Sequence, residues 1–279
     1  MAKSGDLSVT ALYTSAAWHE AGYPNAELVL HPKALGVFRA VNGTLALTRG
    51  LRAGTEAPLP MALAQRHTLI DRLVAESGAR SVIELAAGLS QRGITLTADP
   101  SLAVVEVDQP HVLAIKRELL ARTPAGQAIL ARPNLTFMAS DVTELDVAAL
   151  CASQPAGPVF VIAEGLLMYL DVAAQNRLAS RVAEALRPRG GQFVFDYVPP
   201  SEKAPPGATG RALEWLMKRF TAGQSFVKDP RTREAVAEDL RSSGFDRAEV
   251  LEPRHVAARY ALPHPEAPTE QLLFVCGVK

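Results

Sequence analysis

Residues 81–93 read SVIELAAGLSQRG: an apolar run that breaks into a turn of small residues. A short run of this kind, followed by Ala86, Ala87 and Gly88, predicts a β-strand and then a turn where the backbone can come close to something. Before it, residues 57–78 (APLPMALAQRHTLIDRLVAESG) carry Leu59, Leu63, Ile70, Leu73 and Val74 at helical spacing. Pro58 and Pro60 suit the start of that helix and Gly78 its end. Residues 31–50 (HPKALGVFRAVNGTLALTRG) read as one or two short helices.

After residue 80 the rhythm alternates. LAVVEVD (102–108), NLTFMASD (134–141), GPVFVIAEG (157–165) and GQFVFDYV (191–198) read as strands, and HVLAIKRELLAR (111–122) and DVAAQNRLASRVAEALRPRGG (171–191) as helices. This alternation predicts an α/β fold: a Rossmann-like, doubly wound sheet with helices on both faces. FDRAEVLE (245–252) and EQLLFVCGVK (270–279) read as two closing strands, a hairpin at one edge. They complete seven strands, mostly parallel with that antiparallel edge. The expected organisation is residues 1–78 as an N-terminal helical lid and lead-in helix, then residues 79–279 as the ligand-binding α/β domain. A substrate-side helical insertion is expected at about 199–243. It opens with PPSEKAPPGATG, and the stretches AGY (21–23) and HPEAP (264–268) read as plain loops.

Composition narrows the function. With 29 basic and 29 acidic residues there is no charge excess of the kind nucleic-acid binding needs. Cys151 and Cys276 form no metal or redox motif, and no His-x-x-x-His pair occurs, so no metal is expected. No apolar run suits a secretory signal or a membrane span, and the expected location is cytoplasmic.

In an open parallel sheet, ligands bind beyond the carboxyl ends of the strands. Here those ends carry Glu84 with Gly88, Glu106 with Asp108, Asp141, Glu164 with Gly165, and Asp196 with Tyr197. The first turn lacks the full G-x-G-x-x-G pattern, since Ser90 stands at the second glycine position. That weakens the case for a dinucleotide, whose pyrophosphate needs those glycines. Asp108, about 20 residues beyond the turn, is placed to accept bonds from a ribose diol. Asp141, one strand further, is placed to accept one from an adenine amino group. An adenosine that carries an amino acid instead of phosphates is S-adenosylmethionine.

These residues also resemble a known family. TALYTSAAW (10–18), RHTLID (66–71), ELAAGLSQRG (84–93), VVEVDQPHVLAIKR (104–117), SDV (140–142) and AEGLLMYL (163–170) are similar to class I S-adenosylmethionine-dependent methyltransferases. Within these, the chain resembles the leucine carboxyl methyltransferase family, in its bacterial natural-product O-methyltransferase branch. The resemblance runs from about Val9 to Val198. It implies S-adenosyl-L-methionine as cofactor, Arg66 as the clamp on the methionine carboxylate, and Gly88 as the close-approach glycine. Asp108 would hold the ribose, Asp141 and Val142 would frame the adenine, Glu164 would lie near the methionine ammonium, and Tyr169 near the substrate. Three departures bear on the substrate: GLSQR where the bacterial pattern reads GLDTR, HPKA (31–34) where it reads DPYA, and Thr14 where a protein-methylating branch carries a basic residue.

Other residues have two readings. Glu84 joins the strand-end set expected to bind the cofactor. Arg92 is either a second anchor or a brace that pairs with Glu84 or Glu106. Tyr13, Trp18 and Tyr23 either close over the ligand or pack the lid. Tyr197 and Trp215 fall where such folds place substrate walls. Lys116 and Arg117 are expected to cover a helix face.

The favoured function is O-methyl transfer to a small-molecule carboxylate or hydroxyl in secondary metabolism, with Tyr169 and Glu164 nearest the chemistry. Neither nucleic acid nor membrane is an expected partner, and the sequence leaves the oligomeric state open. The same binding motifs also serve an enzyme that cyclises S-adenosylmethionine, its amino group attacking the γ-carbon to release methylthioadenosine and azetidine-2-carboxylate. They serve a non-catalytic sensor of the nucleoside as well.

Overall fold

The computed structural model describes residues 7–49, 58–199, 227, 229–267, 269 and 271–278. The order of elements is α1 (Val9–Glu20), α2 (Ala34–Arg49), α3 (Leu59–Ser77), β1 (Ser81–Leu85), α4 (Arg92–Leu96), β2 (Ala103–Asp108), α5 (Pro110–Ala121), α6 (Pro124–Leu130), β3 (Leu135–Ala139), α7 (Val147–Ala152), β4 (Val159–Ala163), α8 (Val172–Leu186), β5 (Gly191–Tyr197), α9 (Arg233–Ser242), β6 (Arg247–Leu251), α10 (Pro253–Tyr260) and β7 (Leu272–Val278). Short 3₁₀ turns lie at Ala26–Val29 and Leu167–Tyr169.

The seven strands form one sheet in the order β3-β2-β1-β4-β5-β7-β6. β1 to β5 are parallel, and β7 runs antiparallel between β5 and β6. The chain winds one way from β1 to β3 and the other way from β4 to β5. The switch point, where such sheets bind ligands, therefore lies between β1 and β4. Side chains alternate across the sheet. Ile83, Leu85, Val161, Phe193, Phe195 and Phe274 pack on one face, towards α7, α8 and α9. Val82, Val104, Phe160, Ile162, Val194 and Val275 pack on the other, with Leu69, Ile70 and Leu73 of α3.

Local sequence explains the helix starts. Ser8, Thr123, Asp146, Asp171 and Thr232 each accept an N-terminal amide as N-cap. Residues 34–49 make one helix, α2, rather than two. The N-terminal helices form a lid with small apolar clusters of their own, in which Tyr13, Ala17, Val41 and Leu63 meet. β6 and β7 form the antiparallel edge, but α10 lies between them in the chain. α4, α6, α7 and α10 add to the elements expected from sequence. No helix among the described residues is long and apolar enough to cross a membrane.

Candidate active site

Strand alternation puts Glu84, Glu106, Glu164 and Asp196 on the sheet face covered by α3, α4 and α5. Glu84 and Glu106 are direct neighbours in register. All four are buried or nearly so, and unpaired carboxylates there would cost far more than folding could supply. The cations come from the covering helices. Arg66 of α3 donates from Nε to Glu164 Oε1 at 2.8 Å and from Nη1 to Asp196 Oδ2 at 2.9 Å. Arg92 of α4 donates to Asp71 Oδ1 (2.6 Å), Glu84 Oε1 (2.6 Å) and Glu164 Oε2 (2.7 Å). Arg92 is thus the brace that pairs with Glu84. Burial alone would push the Glu164 carboxyl up, but His67, Arg92 and Arg66 together hold it well below the usual carboxylate range.

His67 is fully buried in the same cluster. Its Nε2 lies 2.9 Å from Gln91 Nε2, and its Nδ1 lies 3.0 Å from Glu164 Oε2 and 2.8 Å from Arg92 Nη2. The indole of Trp18 lies 4.7 Å from the imidazole, centroid to centroid, and Tyr23 meets it edge-on at 5.0 Å.

Lys116 departs from expectation. It does not cover a helix face: it is wholly buried under the turn after β1. There its ammonium donates to the Ser90 carbonyl at 2.5 Å and to Glu106. A buried ammonium is tolerated because these two acceptors replace water. Burial pushes the Glu106 carboxyl up to about 7 in spite of Lys116. Arg117, by contrast, is exposed and lies over the Phe137 ring at 4.9 Å.

The turn itself is open. Gly88 has φ +55°, and a Cβ there would meet nothing within 4 Å. Its amide donates to Asp108 Oδ2 at 2.6 Å, and the Gln109 amide donates to Oδ1 at 2.7 Å. Burial pushes the Asp108 carboxyl up, and these two amides pull it back. Gly165, at φ +68° on the far side of the switch point, bonds through its amide to Asp196 Oδ1 at 2.5 Å. A Cβ on Gly165 would stand 3.7 Å from Arg66 Nη2, the guanidinium nitrogen that neither carboxylate uses. Two bare glycine backbones, a ribose-type carboxylate and a guanidinium with a donor left over are what a nucleoside linked to an amino acid requires, and S-adenosylmethionine fits this set.

Asp141 is exposed beyond β3. Its Oδ1 accepts from the Thr143 amide (2.8 Å) and hydroxyl (2.6 Å), and these bonds hold its carboxyl below the usual value. It thereby caps the turn at 142–144, whereas Asp146 caps α7. Val142 beside it is buried in the core. Tyr169, in the 3₁₀ turn after β4, donates to Thr10 Oγ1 of the lid at 3.1 Å. Tyr13 donates to Asn42 Oδ1 at 2.9 Å inside the lid. Tyr197 packs against Phe274 on the opposite sheet face and donates to the Arg231 carbonyl at 2.9 Å. Trp215 lies outside the described residues.

Arg66, Glu84, Gly88, Arg92, Asp108 and Glu164 therefore converge at the switch point. His67, Asp71, Gln91 and Lys116 belong to the same cluster, where no role was expected for Asp71 and Lys116 was expected on a helix face. Part of the signal was positional: Arg66, His67 and Asp71 fall within two turns of α3 that also carry the buried Leu69 and Ile70. No group of three or more candidate metal ligands occurs among the described residues.

Residues 23–183 match the family described as leucine carboxyl methyltransferase. A protein of Mycobacterium sp. (strain KMS), named "Putative S-adenosyl-L-methionine-dependent methyltransferase", is 40% identical over 126 residues, 44% of this chain and 41% of that one. The chain spans about half, or less, of the length of such curated relatives. Among solved structures, a Bordetella parapertussis protein called a "possible exported protein" superposes with TM-score 0.55 at 17% identity, covering 100% of this chain and 99% of that one. A "putative O-methyltransferase" from Nostoc punctiforme PCC 73102 does so with TM-score 0.52 at 18% identity, covering 90% and 71%. At such identities the likeness concerns the fold alone.

Proposed function

This chain belongs to the leucine carboxyl methyltransferase family, among the class I S-adenosylmethionine-dependent methyltransferases, and from that premise we propose that it methylates an oxygen of a small metabolite. The acceptor is a carboxylate or hydroxyl of secondary metabolism. The observation that carries the proposal is the pair of glycines at the strand ends: an added Cβ would meet nothing within 4 Å at Gly88, whose amide donates to Asp108, and would stand 3.7 Å from Arg66 Nη2 at Gly165.

In this reading Asp108 holds the ribose and Asp141 takes the adenine amino group, with Val142 beside it. Arg66 offers Nη2 to the methionine carboxylate while Nε and Nη1 stay on Glu164 and Asp196, a division among fixed donors that a guanidinium makes and an ammonium does not. Glu164, kept ionised, complements the methionine ammonium. Glu84 and Arg92 act one layer below, fixing Glu164. When bound, the sulfonium supplies an already activated methyl group, so the protein contributes mainly positioning and electrostatics.

A carboxylate acceptor is favoured because the titratable groups around Arg66 are engaged. Glu164 is held ionised by three neighbours, His67 is wholly buried with both ring nitrogens bonded, and burial pushes the Tyr169 hydroxyl up, away from phenolate. A carboxylate needs no base to remove a proton, whereas a phenol or alcohol gains from one. Tyr169 and the lid residues Tyr13 and Trp18 then bound the acceptor side, with Trp215 as a further candidate for its wall, whereas Tyr197, packed on the opposite sheet face, is not one.

The test is to follow products chromatographically with S-adenosylmethionine and a panel of small carboxylic acids and phenols. S-adenosylhomocysteine formed only with an acceptor, together with its methyl ester or ether, supports the proposal. Methylthioadenosine formed without any acceptor contradicts it.

A further inference from the structure

We propose that Arg181, on α8, is a positioning residue that sets how this chain reads the 6-amino group of a bound adenine. The inference rests on the reading of Asp141 given above, and it deepens that reading. Arg181 lies on the far side of the loop at 141–146 from the exposed Asp141 carboxylate. Its Nη1 donates to the Thr143 carbonyl at 2.9 Å and the Leu145 carbonyl at 3.2 Å, and its Nη2 donates to the Val142 carbonyl at 3.1 Å. One guanidinium thus gathers three carbonyls of a four-residue stretch. Underneath, Val142, Leu145 and Val147 pack into the same core as Leu178 and Val182 of α8.

The consequence follows from peptide geometry. A trans peptide is planar, so the carbonyl of Val142 and the amide of Thr143 point in opposite directions. Holding the carbonyl on Arg181 therefore aims the Thr143 amide outward. That amide, with the Thr143 hydroxyl, holds Asp141 Oδ1. With Oδ1 fixed, Oδ2 has a set direction for an incoming N–H donor. The chain of fixation runs from Arg181, through one peptide plane, to the atom that would meet the adenine. A fork with several rigid N–H donors can do this, and an ammonium cannot reach three carbonyls in the same way.

The test compares wild type with Arg181→Met and Arg181→Lys. Calorimetry measures affinity for S-adenosylmethionine and for an analogue whose adenine 6-amino group is replaced by oxygen. Hydrogen exchange of the Thr143 and Glu144 amides is measured without ligand. We expect Arg181→Met to lower the preference for the 6-amino ligand about tenfold, the loss of one well-aimed hydrogen bond to a charged acceptor. Affinity for the 6-oxo analogue stays unchanged, both amides exchange faster, and Arg181→Lys falls between. Equal loss for both ligands, or no loss with unchanged exchange, overturns the proposal. If Arg181→Met fails to fold, Arg181→Lys carries the comparison. Should wild type bind neither ligand, the proposed function fails, and amide exchange still decides whether Arg181 orders the loop.

Discussion

Arg66 Nε donates to Glu164 Oε1 at 2.8 Å although 98 residues separate them in the chain. This bond ties the helix that leads into the sheet to the end of its fourth strand. Both side chains are about 5% exposed, so the pair contributes to positioning more than to net stability. Arg66 also reaches Asp196, and its remaining nitrogen, Nη2, would stand 3.7 Å from a Cβ on Gly165.

Replacing Arg66 should therefore act twice. Arg66→Met leaves Glu164 and Asp196 short of a partner, and losing one member of a buried pair costs about 3–5 kcal/mol. Arg66→Lys keeps the charge but loses the fork, and should cost less stability while still weakening cofactor binding. Urea unfolding and calorimetry on both variants check this. Normal affinity in a folded Arg66→Lys protein would remove Arg66 from the binding site.

Glu164 and Glu106 should respond to pH in opposite senses. Glu164 is held well below the ordinary carboxyl value, so its contribution to stability is present above that value and is lost as pH falls through its lower folded one. Glu106 is raised from 4.5 to about 7. Between those values the folded chain keeps a proton that the unfolded chain has released, so stability falls as pH rises, by on the order of 3 kcal/mol. Glu106→Gln should flatten that decline. Urea midpoints at about pH 5 and about pH 8 measure it, and parallel declines in variant and wild type would refute the assignment.

The Tyr169 hydroxyl joins the strand end to Thr10 of the lid. Tyr169→Phe should cost about 1 kcal/mol, the usual worth of a neutral hydrogen bond. The loss should concentrate in α1, as faster amide exchange across Val9–Glu20. Unchanged exchange there would mean that other contacts hold the lid.

Much of this was legible in the sequence. The apolar runs at 159–163 and 193–195 are buried on both faces because they lie in the middle of a sheet with helices on both sides. The strand-end acids and the turn at Gly88 were legible for the same reason: strand ends in such sheets are where chemistry collects. Pairing was legible only in part: Arg92 as a brace on Glu84, 8 residues away, was one of two readings, whereas Arg66 meets Glu164 and Asp196 across 98 and 130 residues, and Lys116 was not read as the partner of Glu106. Lys116 shows why. Long cationic side chains usually cover a helix face, yet Leu113, Lys116 and Leu120 share one face of α5, and all three are buried. The spacing carried the signal, and residue type pointed the other way. α10 was missed because it is short and polar, burying chiefly Pro253, Ala257 and Tyr260.

The most direct test of the account is calorimetric titration of S-adenosylmethionine into wild type and Asp108→Ala. Asp108 stands at the strand end, bonded to the Gly88 amide, where the proposed function puts the ribose. Wild type should bind, and the variant, folded by circular dichroism, should lose roughly 1.5–3 kcal/mol for each charge-assisted hydrogen bond removed. Equal affinity in the two proteins would contradict the placement of the cofactor at the strand ends.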